Sequence, residues 1–241
     1  NSYKSECGAD FGKLLQALAE DTDIERIRYT TSHPKDFNQE LVDISAKYRS
    51  KICDYIHLPA QSGNTEILKR MNRGYSREEY LDKVTMIREG IPGVVLSTDI
   101  IVGFPGETEE QFEDTRSLLE TVRYENIYAF KYSPRPFTKA ARYTDQVSEA
   151  DSKRRLQILL DRQREIAFEL GAPYVDKTYD VLFEVKAESQ GQIQGRTTNN
   201  KLVYAVGDEG LIGQTRRVHV TKAFPNVLHG EILRDGVQGG L

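Results

Sequence analysis

Residues 97–108 read STDIIVGFPGET, the most informative local sequence in the chain. The unbroken apolar run Ile100–Val102 is typical of a strand that is covered on both faces, as in a parallel sheet. Two glycines then flank a Phe-Pro pair and break the strand, and Thr108 with Gln111 forms the pattern of a helix capping box. The stretch therefore predicts a strand, a tight turn and a helix, which is one βα unit of an α/β fold.

Similar units lie on both sides of this one. Helix starts are predicted at Asp36, with Gln39, and at Ser76, with Glu79, and Gly90 is the predicted C-cap of the second of these helices. The predicted strands are Ile24–Thr31, Asp54–Leu58, Val94–Val102 and Asn126–Tyr132. Four strands are fewer than a closed eight-stranded barrel or the usual doubly wound sheet contains. We therefore expect an α/β domain that is incomplete at its N-terminus.

A second domain is predicted after a long helix. Apolar residues at helical spacing predict this helix over residues 148–170, and Gly171-Ala172-Pro173 ends it. The apolar period then changes to two, which predicts an all-β module, most simply a five-stranded OB-like barrel. The alternating residues are Val181, Phe183 and Val185, then Leu202, Tyr204 and Val206, then Val218 and Val220. The predicted domains are 1–172 and 173–235, with a tail at 236–241.

Composition limits the classes of function. The 241 residues carry 33 Lys and Arg against 37 Asp and Glu, and this net charge of −4 excludes a polycation that coats nucleic acid along its whole length. The chain shows neither a signal peptide nor a stretch approaching 18 apolar residues, so we expect a cytoplasmic protein with no membrane partner. Cys7 and Cys53 stand far apart, and no His or Cys pair has metal-ligand spacing, which predicts no metal site in this chain.

Polar loops follow all four predicted strands. Because the carboxyl ends of parallel strands meet at one edge of a sheet, we expect these loops to form a shared ligand site. After the second strand, Gln61 and Ser62 could hydrogen-bond a polar ligand, and the alternative is a turn in which Asn64 caps the next helix. After the third strand, Gly103 and Gly106 let the backbone approach a ligand, and the alternative is a tight turn that needs glycine for its geometry alone.

The β module contains the one clear local excess of positive charge. Between residues 196 and 222, Asp208 and Glu209 are the only acidic residues. The basic residues there are Arg196, Lys201, Arg216, Arg217 and Lys222. On an OB-like module this excess predicts binding of RNA or single-stranded nucleic acid, and a solvated face of mixed charge is the alternative. No P-loop, GxSxG or HExxH motif supports a nucleotide-triphosphate, serine-hydrolase or zinc-protease function.

Several blocks of the chain resemble the methylthiotransferase branch of the radical S-adenosylmethionine enzymes. The blocks are TSHPKD (31–36), DYIHLP (54–59) followed by QSG (61–63), MNRGY (71–75), DIIVGFPGET (99–108) and YSPRP (132–136). The first block is most similar to the subfamily that modifies N6-isopentenyladenosine in tRNA, and residues 174–234 resemble the TRAM domain, an RNA-binding module. One departure is Phe137, where the family usually has glycine.

The resemblance implies a partial (β/α) barrel of the radical SAM type, with strands three to six of six in this chain. It implies S-adenosylmethionine and two [4Fe-4S] clusters as cofactors, with the cluster ligands outside this chain, so the chain alone is expected to be inactive. The implied reaction adds a methylthio group to C2 of N6-isopentenyladenosine beside the anticodon, with tRNA and a reductant such as flavodoxin or ferredoxin as partners.

Other functions remain open at this stage. The substrate could instead be threonylcarbamoyladenosine in tRNA or a ribosomal protein. Outside this reaction class, the chain could be a non-catalytic RNA-binding fragment, or a small-molecule α/β enzyme that binds phosphate at the same edge of the sheet.

The resemblance also implies roles for individual residues. Polar contacts around the cofactor or cluster are expected from Gln61, Ser62 and Asp99, and backbone contacts to adenine from Val102 and Gly103. Arg135 is expected to bind a carboxylate or phosphate, and His33 to contact the target base. Contacts to RNA are expected from Arg196, Lys201, Arg216, Arg217 and Lys222.

Overall fold

The computed structural model describes residues 3–4, 8–30 and 32–233. The chain divides into two compact units, Asn1–Ile166 and Ala167–Leu241, and each is described by itself. Within the described residues, no helix is both long enough and apolar enough to cross a membrane.

The first unit contains a parallel sheet whose strands are in the order β1-β2-β3. Its strands are β1 (Tyr55–His57), β2 (Val95–Val102) and β3 (Asn126–Lys131). The helices are α1 (Phe11–Asp21), α2 (Gln39–Lys47), α3 (Thr65–Arg70), α4 (Arg77–Gly90), α5 (Glu109–Val122) and α6 (Glu149–Gly171), of which α6 continues into the second unit. Short 3₁₀ turns occupy Pro34–Asp36 and Ala140–Arg142.

Three of the four predicted strands are confirmed, and the prediction of a strand at Ile24–Thr31 is wrong. Among the described residues of that segment, 24–30, only Ile27 forms a bridge, in parallel with Ile52. The Ile27 N–H donates to Lys51 O at 2.7 Å, and the Cys53 N–H donates to Ile27 O at 3.0 Å. The facing chain emerges here from the turn that ends α2, so it offers too few residues in extended form to continue the ladder.

Both capping boxes at Ser76 and Thr108 are confirmed, and they begin α4 and α5. The predicted cap at Asp36 is wrong because α2 begins later: Asn38 accepts from the Leu41 N–H at 3.0 Å, and Asp36 lies in the preceding 3₁₀ turn.

Gly90 has a different role from the predicted one. It is the last residue of α4, and Ile91 occupies the C-cap position. A Cβ at position 90 would lie 2.1 Å from Cγ1 of Val42 in α2, so glycine allows these two helices to pack closely.

The second unit contains a closed five-stranded barrel in the order β4-β5-β6-β8-β7, which confirms the predicted architecture. Its strands are β4 (Thr178–Lys186), β5 (Gln192–Thr197), β6 (Leu202–Val206), β7 (Thr215–Phe224) and β8 (Val227–Ile232). The buried residues of its core are Val181, Phe183, Ile193, Val203, Ala205, Val218, Val220 and Leu228.

Two details of the predicted apolar alternation are wrong. A bulge between Phe183 and Val185 takes Val185 out of the core, and its side chain is exposed. In β6 the small residues Val203 and Ala205 face the core. The predicted core residues of this strand, Leu202, Tyr204 and Val206, therefore face outward.

Candidate functional site

One face of the β1-β2-β3 sheet carries polar and aromatic side chains. The register pairs His57 with Ser97, and Asp99 with Tyr128, and paired residues share a face. Tyr55 lies two residues before His57 on the same side of β1. The residues that alternate with these on β1 and β2, including Ile100, are buried. On the polar face Tyr55, His57 and Ser97 are buried as well, so the end that carries Asp99 and Tyr128 is the part of this face that can receive a ligand.

A hydrogen-bonded series crosses this face from β1 to β2. Ser97 Oγ lies 2.6 Å from the Tyr55 hydroxyl and 2.8 Å from His57 Nδ1. The other ring nitrogen, His57 Nε2, lies 3.3 Å from Asp99 Oδ1, and the His57 ring packs edge-on against Tyr128. Contacts at both nitrogens fix the orientation of the imidazole, and the partly exposed Asp99 side chain, at 30%, is the acidic end of the series.

Exposed aromatic rings lie beside this carboxylate. Tyr128 is 46% exposed and Phe130 is 57% exposed, and the register places Phe130 opposite Ile101 on the same face. The face therefore offers a negative hydrogen-bond acceptor next to flat apolar surface.

The structure places Gln61 and Ser62 in different environments. Gln61 has a positive φ of 69° and joins the edge of β2, because its N–H donates to Asp99 O and its carbonyl accepts from the Ile101 N–H. Ser62 is buried against α5, with its Oγ 3.4 Å from Thr115 Oγ1. Asn64 caps α3, as the alternative interpretation of this loop predicts.

The two glycines after β2 are explained by contacts within the chain. Gly103 has a φ of 69°, and a Cβ there would lie 2.2 Å from Ser152 Oγ. Gly106 has a φ of 80°, and a Cβ there would lie 2.4 Å from Asp145 Oδ2. The tight-turn interpretation therefore accounts for both positions, and the predicted adenine contacts of Val102 and Gly103 stay predictions.

A buried ion pair supports this turn, and the sequence did not reveal it. Glu107 Oε2 accepts from the Gly103 N–H at 2.7 Å and from Arg155 Nη1 at 2.8 Å. Its other oxygen, Oε1, is buried and has no hydrogen-bond partner among the residues that the structure describes. Burial raises the pKa of this carboxyl, although Arg155 and the Gly103 N–H oppose the rise. Arg155 comes from α6, so no local motif links the two residues.

His33 and Arg135 belong to loops near the same edge. His33 Nδ1 accepts from the Lys35 N–H at 3.2 Å, and its ring packs edge-on against Tyr75, whose hydroxyl donates to Pro59 O just beyond β1. Burial lowers the pKa of His33. Arg135 is exposed in the loop after β3, two residues before Phe137.

The basic residues of the barrel do not share one face. Lys201 is only 2% exposed, with its ammonium 4.9 Å from the centre of the Tyr174 ring, which does not fit the predicted phosphate contact. Arg216 and Arg217 are neighbours on β7 and therefore point to opposite sides of the strand. Arg217 is exposed, Lys222 is exposed, and Arg196 lies 3.5 Å from Glu184.

Comparison with protein families matches residues 5–119 to the radical SAM superfamily and residues 173–233 to the TRAM domain. The chain therefore contains a radical SAM segment followed by a TRAM domain. Among curated relatives, the tRNA-2-methylthio-N(6)-dimethylallyladenosine synthase of Bdellovibrio bacteriovorus is 54% identical over 97% of this chain and 51% of its own length. The synthases of the same name from Geotalea uraniireducens and Campylobacter jejuni are each 46% identical, over 97% and 93% of this chain.

The chain spans about half the length of these relatives, 53% for Geotalea uraniireducens and 51% for Campylobacter jejuni. A solved structure of coproporphyrinogen III oxidase from Escherichia coli, a radical SAM enzyme, covers 78% of this chain with a TM-score of 0.44 and 16% identity. The resemblance to radical SAM methylthiotransferases with a TRAM domain is confirmed by the family matches and the curated relatives.

Radical SAM proteins use S-adenosylmethionine and an iron–sulfur cluster. The side chains on the polar face of the sheet fit S-adenosylmethionine. Asp99 offers an acceptor for hydroxyl or ammonium groups, and the exposed rings of Tyr128 and Phe130 offer flat surface to an adenine.

The described residues of the radical SAM domain do not fit the cluster. Within them, no group of three or more His, Cys, Asp or Glu side chains is placed to hold a metal. Cys53 is buried just before β1, and burial raises the pKa of its thiol. Cys7, the other cysteine, lies outside the described residues.

Proposed function

We propose that this chain is part of a tRNA methylthiotransferase that adds a methylthio group to C2 of N6-isopentenyladenosine next to the anticodon. The observation that carries the proposal is the pairing of a radical SAM domain with a TRAM domain, together with 46–54% identity to three synthases of that name. Because the chain spans about half of each relative, the activity belongs to a longer protein.

In this proposal the polar face of the sheet binds S-adenosylmethionine, which supplies the methyl group and the hydrogen-abstracting chemistry. Asp99 accepts hydrogen bonds from the cofactor, and the series from Tyr55 through His57 holds its carboxylate in place. Tyr128 and Phe130 cover the apolar part of the cofactor and exclude water from it. We assign cofactor contacts also to Gln61, Val102 and Gly103, whose backbones lie along the carboxyl end of β2 or just beyond it.

Substrate positioning is assigned to residues around this face and on the TRAM domain. We assign His33 to the target base and Arg135 to a carboxylate or phosphate, because both lie in loops at the carboxyl edge of the sheet. Ser62 is expected from the sequence to contact the cofactor, but its hydroxyl is buried against α5, so we assign it to holding the loop after β1 in place. The TRAM domain binds tRNA through exposed basic residues, among them Arg217 and Lys222.

The complete protein in this proposal uses two [4Fe-4S] clusters, whose ligands lie outside the described residues, and a reductant such as flavodoxin or ferredoxin. We place it in the cytoplasm, where its tRNA substrate is found. The relatives' names favour isopentenyladenosine over threonylcarbamoyladenosine or a ribosomal protein as substrate.

The test is to express the complete gene in a host whose tRNA lacks the methylthio modification and to analyse tRNA nucleosides by mass spectrometry. We expect 2-methylthio-N6-isopentenyladenosine to appear. A methylthio group found only on threonylcarbamoyladenosine, or only on a ribosomal protein, would contradict the proposal. Asp99→Asn serves as the site variant, and Asp82→Asn, on the exposed side of α4, is the matched control.

A further inference from the structure

The outer surface of the TRAM barrel carries three aromatic rings, of which the His229 ring contacts the other two. The rings of Tyr204 and His229 lie 5.6 Å apart at 30°, and those of Phe224 and His229 lie 5.2 Å apart at 67°. We call Tyr204, Phe224 and His229 the aromatic platform. None of the three belongs to the barrel core, and Phe224 is 48% exposed.

Strand register explains why these rings share the outer face. Tyr204 of β6 pairs directly with His229 of β8, and both alternate with buried core residues. On β7 a bulge between Val220 and Lys222 shifts the ladder by one residue, so Lys222 pairs with His229. Phe224 then pairs with Val227, two residues before His229 on the same side of β8.

A basic side chain lies beside the platform. Lys222 is exposed and directly opposite His229, so a cation lies at the border of the rings. Glu231, two residues beyond His229 on the same side of β8, is exposed and pairs with His219, so the phosphate contact is assigned to Lys222 alone. Partly exposed rings beside a cation suit unpaired nucleotides, because bases stack on the rings while the cation binds the phosphate.

We propose that the aromatic platform stacks unpaired bases of an RNA strand and that Lys222 binds an adjacent phosphate. The inference rests on the proposed function, since it deepens the assignment of the TRAM domain to tRNA. It differs from the sequence prediction in its residues: the basic residues alone would bind RNA of any structure, whereas the platform requires unpaired bases.

The test measures fluorescence anisotropy of the 241-residue chain with a labelled oligouridylate of about 12 nucleotides, a length within the range that such modules cover. We expect Tyr204→Ala and Phe224→Ala each to weaken binding about 5- to 100-fold, with the dependence on salt unchanged. Lys222→Ala is expected to lower the slope of log K against log salt by about 0.7. An RNA duplex of the same length is expected to bind more weakly than the single strand.

Three controls make the test decisive. Phe168→Ala removes another exposed phenylalanine of the same unit, Tyr204→Phe keeps the ring, and Phe224→Leu keeps apolar bulk without a π face. Binding that is equal in Tyr204→Ala, Phe224→Leu and Phe168→Ala would overturn the platform, as would equal affinity for duplex and single strand. If the complete protein still modifies tRNA in that case, the platform alone is wrong; if the platform binds RNA but no methylthio group is added, the proposed function alone is wrong.

Discussion

His57 and Asp99 face each other across two neighbouring strands, with His57 Nε2 3.3 Å from Asp99 Oδ1. The histidine is almost wholly buried, whereas the aspartate reaches the open side of the sheet. The pair therefore joins the fixed interior of the radical SAM domain to the surface where a ligand would bind.

Asp99→Asn keeps the size of the side chain and removes its charge. We expect the complete protein to bind S-adenosylmethionine about tenfold more weakly or worse, because a hydrogen bond to a charged group contributes ~1.5–3 kcal/mol. Isothermal titration calorimetry measures the affinity, and Asp82→Asn is the control. Equal affinities of the two variants would remove Asp99 from the cofactor site.

Gly103→Ala adds both backbone strain and a steric overlap with Ser152. Gly93→Ala is its matched control, because Gly93 also has a positive φ, 82°, but no atom of the described part of the chain lies within 4 Å of the added Cβ. We expect Gly93→Ala to lower the free energy of unfolding by about 1 kcal/mol, and Gly103→Ala to lower it by a further 1–3 kcal/mol or so. Urea unfolding measures both. Adding Ser152→Ala to Gly103→Ala should recover part of the difference, and no recovery would rule out the overlap.

Phe137 combines a φ of 68° with a side chain that is 99% exposed. Glycine at this position avoids the left-handed strain, so we expect Phe137→Gly to raise the free energy of unfolding by about 0.5–1 kcal/mol. Phe137→Ala removes the ring and keeps the strain, so it should leave the stability nearly unchanged. Equal urea midpoints for the two variants would show that the backbone strain is absent.

Arg155→Leu leaves Glu107 buried without its cation, and we expect it to lower the free energy of unfolding at neutral pH by ~3–5 kcal/mol. Arg154→Leu is the matched control: this exposed neighbour pairs with Glu109, and its loss should have little effect. Urea unfolding measures both variants. A cost for Arg155→Leu no greater than that for Arg154→Leu would contradict the buried pair.

The cost of Arg155→Leu should depend on pH. Burial holds the pKa of Glu107 above its ordinary value of 4.5. The stability gained from its protonated form is fully present below the pKa of the unfolded chain and is lost as pH rises through the pKa of the folded protein. The loss of Arg155 also lowers the free energy of unfolding by less when Glu107 is protonated, because a neutral carboxyl leaves no buried charge unpaired. We therefore expect Arg155→Leu to lower the free energy of unfolding by less at about pH 4.5 than at about pH 8. The opposite trend would contradict a buried Glu107 with a raised pKa.

Substitution of Arg216 and of Arg217 should change the salt dependence of tRNA binding by different amounts. Arg217 is exposed, so Arg217→Ala is expected to lower the slope of log K against log salt by about 0.7–0.9. Arg216 has the strand parity of the core residues Val218 and Val220, so Arg216→Ala should leave the slope nearly unchanged. Equal changes of slope would mean that both side chains contact phosphates.

The sequence predicted those elements whose signals are local. The capping boxes at Ser76 and Thr108 and the buried strand before Gly103 each depend on neighbouring residues, and all three are confirmed. The failure at Ile24–Thr31 has a distant cause, since the ladder stops where the facing chain leaves its turn. Strand β6 has apolar residues on both faces, so its sequence does not show which face is buried. Closure of the barrel places Val203 and Ala205 in the core.

The candidate site was harder to predict because its contacts join separate strands and helices. His57 lay inside a motif but had no role until the register placed it between Ser97 and Asp99. The burial of Lys201 beside Tyr174 is likewise a property of the folded barrel, and the charge count could not distinguish it from the exposed Lys222.

The bulge in β7 also bears on how the barrel avoids misfolding. If β7 and β8 kept the pairing of Val220 with Gly230 past this point, with no bulge, Lys222 would pair with Leu228. The side chain of Leu228 lies in the core. That slipped alignment would force an ammonium group into an apolar interior, at a cost of several kcal/mol. The same lysine that faces the rings at the surface thus makes the wrong alignment unfavourable, and an apolar residue at position 222 would remove that safeguard.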